Sequence, residues 1–240
     1  MLDHYSNFTE AVFDIYNCGN ISIIHSDFID NSGTGISRYS FRGNTGAVSI
    51  GYNNIPTSFP RIVAKVSHCN FTNNRATAER RVRSTNAVFF NRIFTGRGGC
   101  LGVFYNESYH DIVLKLNDNH FQNNYARSFG GAVYLIVFGE GTQNMIILQK
   151  NTFINNFARL GGGAILNTFF SNGVPSKPHT TLMSDCLFVG NMGRTGGALF
   201  VNPAYESKWF LIYKLNNIMD TFVNSLETMY TADLVVHRLN

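Results

Sequence analysis

The chain has 240 residues, of which 44% are hydrophobic and 14% are charged, whereas about a quarter of the residues in ordinary globular proteins are charged. This composition excludes a disordered tail, and the 22 Gly show no collagen period. Lys and Arg number 19 against 15 Asp and Glu, and the net charge of +4 is a mild basic excess whose meaning depends on where the charges lie.

Targeting, membrane and redox signals are weak. The longest apolar run, 132–138, is far shorter than the about 20 residues that a membrane-spanning helix needs. The N-terminal residues show no secretory signal, so the chain is expected to be cytosolic or an internal piece of a longer protein. The four Cys show no spacing suited to zinc, and we expect neither a metal site nor a cofactor.

Two short motifs recur along the chain, and such repeats decide the fold class. The first motif is Phe-x-x-Asn, and its copies are Phe28–Asn31, Phe71–Asn74, Phe121–Asn124, Phe153–Asn156 and Phe188–Asn191. The second motif is Gly followed by a small and an aliphatic residue, and its glycines are Gly46, Gly99, Gly131, Gly163 and Gly197. A degraded sixth copy starts at Phe222, where Ser225 takes the Asn position.

Each repeat predicts short strands in a fixed order. Apolar residues lie seven and five positions before the Phe, as Ile21 and Ile23 do in the first repeat, and this period of two marks a strand with one buried face. The Phe is an odd number of positions from this pair, so in a continuous strand its side chain would point to the opposite face. The chain must therefore bend at the intervening column, which holds Ser26 in the first repeat. After the Gly, the alternation of Val48 and Ile50 predicts another strand. Each repeat is therefore expected to contain about three short strands separated by corners.

A repeat of this size cannot bury its own interior, but a stack of such coils can. Each strand then pairs in parallel with its equivalents in the neighbouring coils at a spacing of about 4.8 Å. The Phe column would form an internal aromatic stack, the Asn column an amide ladder at a left-handed corner, and the Gly column a sharp turn without a Cβ clash. The sequence predicts an all-β parallel solenoid of about six coils in one domain over residues 1–240, with a basic insertion at 75–97 and a degraded terminal coil at 203–240.

In these two motifs the chain resembles the Phe-x-x-Asn and Gly-Gly-Ala-Ile repeats of the polymorphic outer membrane protein type, which occur in bacterial autotransporter passengers and in large eukaryotic surface proteins. The resemblance covers about Ile21 to Asn224. It implies a right-handed, single-stranded parallel β-helix of the pectate-lyase-like superfold, located at the cell surface or outside the cell. The chain shows no amphipathic N-terminal cap, and uncapped coils expose strand edges, so we expect a fragment of a longer protein.

The resemblance also raises a catalytic hypothesis, because the same fold class includes pectate lyases and polygalacturonases. The column three positions before the Phe reads His25, His68, Asp118, Lys150 and Asp185. Asp118 and Asp185 would lie two coils apart, about 9–10 Å, which is near the carboxyl separation of an inverting glycosidase. Lys150 between them favours two ionised carboxylates, so a solvated polar edge is the preferred interpretation. His25 and His68 are too few ligands to predict a metal site.

The insertion at 75–97 holds most of the basic excess. It carries one acidic residue, Glu79, and Phe89, Phe90 and Phe94 lie among its basic residues. Those basic residues are Arg75, Arg80, Arg81, Arg83, Arg92 and Arg97. Basic side chains interleaved with aromatics can bind polyanions, although a solvated, partly helical loop is the simpler interpretation. The rest of the chain has 13 basic and 14 acidic residues, so the solenoid itself is nearly neutral.

These observations predict a non-enzymatic structural or interaction module of a cell-surface or secreted protein. Its rigid rod would present loops for adhesion or recognition, with glycans or other surface proteins as partners. Nucleic acid is not expected as a partner, and no membrane span is predicted. The alternative is a polysaccharide lyase or glycoside hydrolase that acts on acidic glycans through Asp118 and Asp185.

Overall fold

The computed structural model describes residues 13–33, 45–53, 61–77, 96–106, 111–138, 144–170, 179–203, 209–214, 217–218 and 234–238. Within these ranges the chain forms β-strands and no helix. The strands lie in four sheets, and we call them A, B, C and D in the order in which one repeat passes through them.

Sheets A and B contain the longer strands. Sheet A consists of β1 (Phe13–Tyr16), β5 (Val48–Asn53), β9 (Leu101–Asn106), β13 (Val133–Phe138), β17 (Ile165–Phe170) and β21 (Leu199–Pro203). Sheet B consists of β2 (Ile21–Ile24), β6 (Arg61–Ser67), β10 (Asp111–Asn117), β14 (Asn144–Gln149), β18 (His179–Ser184), β22 (Trp209–Lys214) and β24 (Leu234–Arg238).

Sheets C and D contain the short strands. Sheet C consists of β3 (Asp27–Ile29), β7 (Asn70–Thr72), β11 (His120–Gln122), β15 (Thr152–Ile154), β19 (Leu187–Val189) and β23 (Asn217–Ile218). Sheet D consists of β4 (Ser32–Gly33), β8 (Arg75–Ala76), β12 (Tyr125–Ala126), β16 (Phe157–Gly161) and β20 (Met192–Thr195).

One coil passes through sheets A, B, C and D in turn, and the next coil pairs with it in parallel. In sheet B, for example, Lys65 of β6 pairs with Lys115 of β10, and in sheet C Phe71 pairs with Phe121. This confirms the predicted all-β parallel solenoid, while its right-handed sense and its six coils stay predictions from the sequence. The expectation of three strands in each repeat is wrong, because sheet D supplies a fourth.

The Phe column forms a continuous aromatic stack inside the solenoid. The rings of Phe28, Phe71, Phe121, Phe153 and Phe188 follow one another at centroid distances of 4.7 to 5.0 Å with interplanar angles of 3° to 6°. Phe71, Phe121 and Phe153 have no exposed surface. In-register pairing of the sheet C strands brings each ring over the next, so one residue type repeated in one column fills the core.

The Asn column forms an amide ladder beside the Phe stack. In a typical step, the backbone N–H and the Nδ2 group of Asn74 both donate to Oδ1 of Asn124 at 3.0 Å. Nδ2 of Asn124 then donates to Oδ1 of Asn156 and to the carbonyl of Phe71, both at 2.9 Å. The ladder runs through Asn31, Asn74, Asn124, Asn156 and Asn191. Its buried side chains therefore bind each coil to its neighbours.

The left-handed corner before this ladder lies one residue earlier than predicted. Asp30, Asn73, Asn123 and Asn155 have φ values of 51° to 58°, and Gly190 has 64°. Asn and Asp tolerate this region better than other non-Gly residues. The ladder Asn that follows each of them is thereby free to point into the core, so the two neighbouring columns have different roles.

The corner between sheets B and C shows the same one-residue difference. Its left-handed residues are His25, His68, Asp118, Lys150 and Asp185, with φ from 50° to 55°. The next column, predicted to make the bend, instead points inward and contains a second ladder in which the Nδ2 of Asn119 donates to Oδ1 of Asn151 at 3.0 Å. Cys69 and Cys186 are buried at the two ends of this ladder. The Cys69 thiol donates a weak hydrogen bond to a backbone carbonyl, and the Cys186 sulfur accepts one from Asn151.

The two glycines of each Gly-Gly pair have different structural roles. The first, such as Gly98 or Gly130, has φ of 64° and makes the turn into sheet A. The second has no room for a side chain, because a Cβ on Gly99 would meet the carbonyl oxygen of Gly131, and one on Gly131 would meet that of Gly163. The predicted role of the second glycine in the turn therefore belongs to the first, and the second allows the close approach of successive coils.

Thiol reactivity follows from the same packing. Cys18 is exposed, whereas Cys69, Cys100 and Cys186 are buried and unpaired with one another. Burial raises the pKa of Cys100 well above its usual value and that of Cys186 to about 11, so these thiols carry little thiolate near neutral pH. We expect Ellman's reagent to titrate one thiol rapidly in the native protein and four after denaturation. Rapid reaction of a second native thiol would contradict this packing.

Candidate recognition surface

The two carboxylates of the catalytic hypothesis lie at the corner between sheets B and C. Asp118 is exposed and Asp185 is partly exposed. The N–H of Asp118 donates to the carbonyl of Gln149, and the N–H of Lys150 donates to that of Ser184, so Lys150 occupies the step between the two carboxylates. A left-handed corner favours short polar side chains, and this backbone requirement accounts for both Asp residues.

The two histidines of the same column stack on each other. The rings of His25 and His68 lie 4.9 Å apart with an interplanar angle of 9°, and both side chains are exposed. Across the described ranges, no group of three His, Cys, Asp or Glu residues is arranged to hold a metal ion. The stack is therefore another product of in-register repetition.

The two ends of the basic insertion differ in their exposure to solvent. Arg75 is exposed on sheet D, whereas Arg97 is only 2% exposed. Arg80, Arg81, Arg83 and Arg92 lie outside the described residues. Burial takes Arg97 away from any polyanion-binding surface, which corrects its place among the candidate Arg residues.

Arg97 belongs instead to a buried contact with the outer side of sheet A. Its guanidinium lies 5.0 Å from the centroid of the Tyr134 ring, and Tyr134 is 1% exposed. Burial lowers the pKa of Arg97 to about 10, because the charged form loses its hydration, and it raises the pKa of Tyr134. The aromatic face partly offsets the lost hydration of the cation.

The outer face of sheet D carries two columns of side chains that the sequence interpretation did not single out. We call this surface the D face. Its first column is Arg75, Tyr125, Phe157 and Met192, and its second column is Arg127, Arg159 and Arg194. The residues between the two columns, Ala76, Ala126 and Ala158, are fully buried, so the two columns point away from the core.

The first column of the D face is aromatic at its centre. The rings of Tyr125 and Phe157 stack at 5.6 Å with an interplanar angle of 9°. Arg75 is exposed on one side of this pair, and Met192, which is 61% exposed, lies on the other. The column is thus an apolar strip with a cation at one end.

The second column is basic in three successive coils. Arg127 and Arg159 directly follow the paired residues Ala126 and Ala158, and Arg194 directly follows Gly193, the register partner of Ala158. Arg159 and Arg194 are exposed, and Arg127 is partly exposed. The described residues of sheet D include no carboxylate, so this face has one sign of charge.

A signal for the D face is present in the sequence. Counted from the Phe, the fourth position reads Ser32, Arg75, Tyr125, Phe157 and Met192 in the five repeats, and the sixth position reads Thr34, Thr77, Arg127, Arg159 and Arg194. The signal was missed because the strands of sheet D are as short as two residues, too short to show an alternating pattern. The balanced net charge of the solenoid also concealed an uneven distribution of that charge.

Comparison with known proteins yields one match. Residues 152–168 match the family model described as the Chlamydia polymorphic membrane protein repeat. The matched segment contains the Phe153–Asn156 motif and continues through β16 to Gly163 and β17. This segment is therefore similar to a polymorphic membrane protein repeat. No curated protein and no solved structure matches the chain.

The segment that matches the family model connects the core columns with the D face. It contains Phe153 and Asn156, which stack and bond inside, together with Phe157 and Arg159, which point outward. Within the described ranges, no helix is long and apolar enough to cross a membrane. One segment thus both builds a coil and contributes to each column of the D face.

Proposed function

We propose that this chain is a non-enzymatic β-solenoid module of a cell-surface or secreted protein, which presents its outer side chains for adhesion or recognition. The observation that carries this proposal is the polymorphic membrane protein repeat at 152–168, whose family consists of membrane surface proteins. The stacked parallel sheets supply the rigid rod on which such a surface is presented.

The contrast between inner and outer columns supports a display role. The inner Phe position holds Phe in five successive coils, and Ile218 occupies it in the next strand of sheet C. Four positions later, the outer column instead holds Ser32, Arg75, Tyr125, Phe157 and Met192. Because outer side chains are not needed for stacking, they can vary and determine what the surface binds.

The alternative, cleavage of acidic glycans through Asp118 and Asp185, gains no support from their geometry. Lys150 lies in the step between them, and all three residues have the left-handed backbone of a corner. The backbone requirement of the corner therefore accounts for these residues without a catalytic role.

Beads coated with the purified chain are expected to adhere to cultured epithelial cells well above beads coated with albumin. Beads coated with the same chain after heat denaturation serve as the control and should not adhere. The same protein should release no reducing or unsaturated ends from polygalacturonate. Failure of the coated beads to adhere would contradict the proposal, as would glycan cleavage that is lost in Asp118→Asn.

A further inference from the structure

We infer that the D face binds a linear acidic polysaccharide along the axis of the solenoid. This inference rests on the proposed function, because a module displayed at a surface meets glycans there. The residues that carry it are the exposed Arg75, Arg159 and Arg194, the partly exposed Arg127 and the aromatic strip beside them. Of these residues, only Arg75 belongs to the basic insertion.

The charge of the D face is the first argument. Arg75, Arg159 and Arg194 lie in strands of sheet D, Arg127 directly follows β12 of the same sheet, and the described residues of that sheet include no Asp or Glu. A surface with one sign of charge raises the local concentration of ligands of the opposite sign. The corner between sheets C and D carries one carboxylate among its left-handed residues, Asp30, whereas Asp118 and Asp185 lie at the corner between sheets B and C.

The spacing of the cations is the second argument. Stacked parallel strands repeat at about 4.8 Å, so Arg127, Arg159 and Arg194 form a row with about one cation per coil. An extended uronate or sulfated polysaccharide presents anionic groups along its length with a comparable repeat, one sugar after another. The planar guanidinium also matches carboxylate and sulfate groups through two parallel hydrogen bonds.

The aromatic strip is the third argument, and it favours a glycan over a nucleic acid. Tyr125 and Phe157 stack on each other, so the faces that they share are closed to an inserted base. Single-stranded nucleic acid gains much of its affinity from bases stacked on open aromatic faces. Ring edges, which carry the positive side of the aromatic quadrupole, suit the anionic groups of an acidic glycan instead.

The test measures binding of the purified chain to heparin, polygalacturonate, neutral dextran and a single-stranded DNA that carries the same number of negative charges as the heparin. Arg127→Gln/Arg159→Gln/Arg194→Gln should bind heparin about tenfold more weakly than the unchanged chain and with a shallower dependence on salt. Lys65→Gln/Lys115→Gln/Lys150→Gln removes the same charge from sheet B and the neighbouring corner, and it should bind heparin as before. Dextran should not bind.

Two further variants keep the test independent of folding. Arg159→Gln/Arg194→Gln changes only exposed side chains, so its melting temperature should be unchanged while its heparin affinity falls severalfold. Arg127→Lys/Arg159→Lys/Arg194→Lys keeps the charge, and it should retain more affinity than the Gln variant.

Four outcomes of the binding measurements would overturn the inference. In the first two, the unchanged chain fails to bind heparin, or the Arg variants bind heparin as tightly as the unchanged chain does. The other two outcomes are an equal loss of heparin affinity in the Arg and Lys variants, and Arg-dependent binding of DNA that is as tight as the binding of heparin. The bead assay separates this inference from the proposed function. Beads coated with the triple Arg→Gln variant that adhere fully would overturn the inference and leave the display role intact, whereas failure of the unchanged chain to adhere would overturn the display role.

Discussion

Gly131→Ala is expected to cost about 4 kcal/mol or more of folding free energy, a large share of the about 5 to 15 kcal/mol that stabilises a typical domain. A Cβ at this position would meet the carbonyl oxygen of Gly163 and would lie 2.7 Å from backbone atoms of Phe157. These atoms belong to the neighbouring coil and cannot rotate away as a side chain can. Urea unfolding followed by circular dichroism would measure the loss.

Gly51→Ala is the matched control for this effect. Its Cβ would meet only ring atoms of Tyr16, at 2.8 and 3.1 Å, and that side chain can move. The cost should be about 1 kcal/mol. Equal stability of Gly131→Ala and the unchanged chain would show that the coils do not approach each other as closely as described.

Asn124→Ala is expected to lower the free energy of unfolding by about 3 to 5 kcal/mol. The substitution removes the Oδ1 that accepts both the N–H and the Nδ2 of Asn74. It also removes the Nδ2 donor to Phe71 and Asn156, and all of these groups are buried. Urea denaturation at several protein concentrations measures this cost and excludes association.

Asn123→Gly provides the control, since it changes the adjacent Asn on the outside of the corner. Asn123 has φ of 54° and is exposed, and Gly adopts that conformation without strain. The change should alter stability by less than about 1 kcal/mol. If the two substitutions cost the same, the buried ladder contributes nothing beyond an ordinary corner.

The sequence predicts the inner part of this molecule well, because stacking repeats the same requirement in every coil. Phe71, Phe121 and Phe153 recur since one ring must lie over the next, and Asn74 and Asn124 recur since each amide must bond its neighbour. A column that repeats one residue type can be read from the alignment of the repeats alone. The fold class, which depends on those columns, follows from them.

The outer surface and the corners are less predictable, for physical reasons that differ from case to case. Strands such as β12 (Tyr125–Ala126) are too short to alternate visibly, so sheet D and the D face were missed. Several residue types tolerate a left-handed corner, as His68 and Lys150 show, so composition alone does not locate the bend. Arg97 was expected to be solvated, and only its three-dimensional contact with Tyr134 shows its burial.

In-register stacking of the coils is the central claim, and engineered disulfides test it most directly. Lys65 and Lys115 are register partners in sheet B, so their Cα atoms should lie about 4.8 Å apart, within the range that a disulfide spans. With Cys18→Ser as background, Lys65→Cys/Lys115→Cys should form a disulfide under mild oxidation, detected by mass spectrometry of the linked peptides. Lys65→Cys/Asn117→Cys, displaced by two residues to about 8 Å, should not. Absence of the 65–115 disulfide, or equal formation of both, would contradict the stacking.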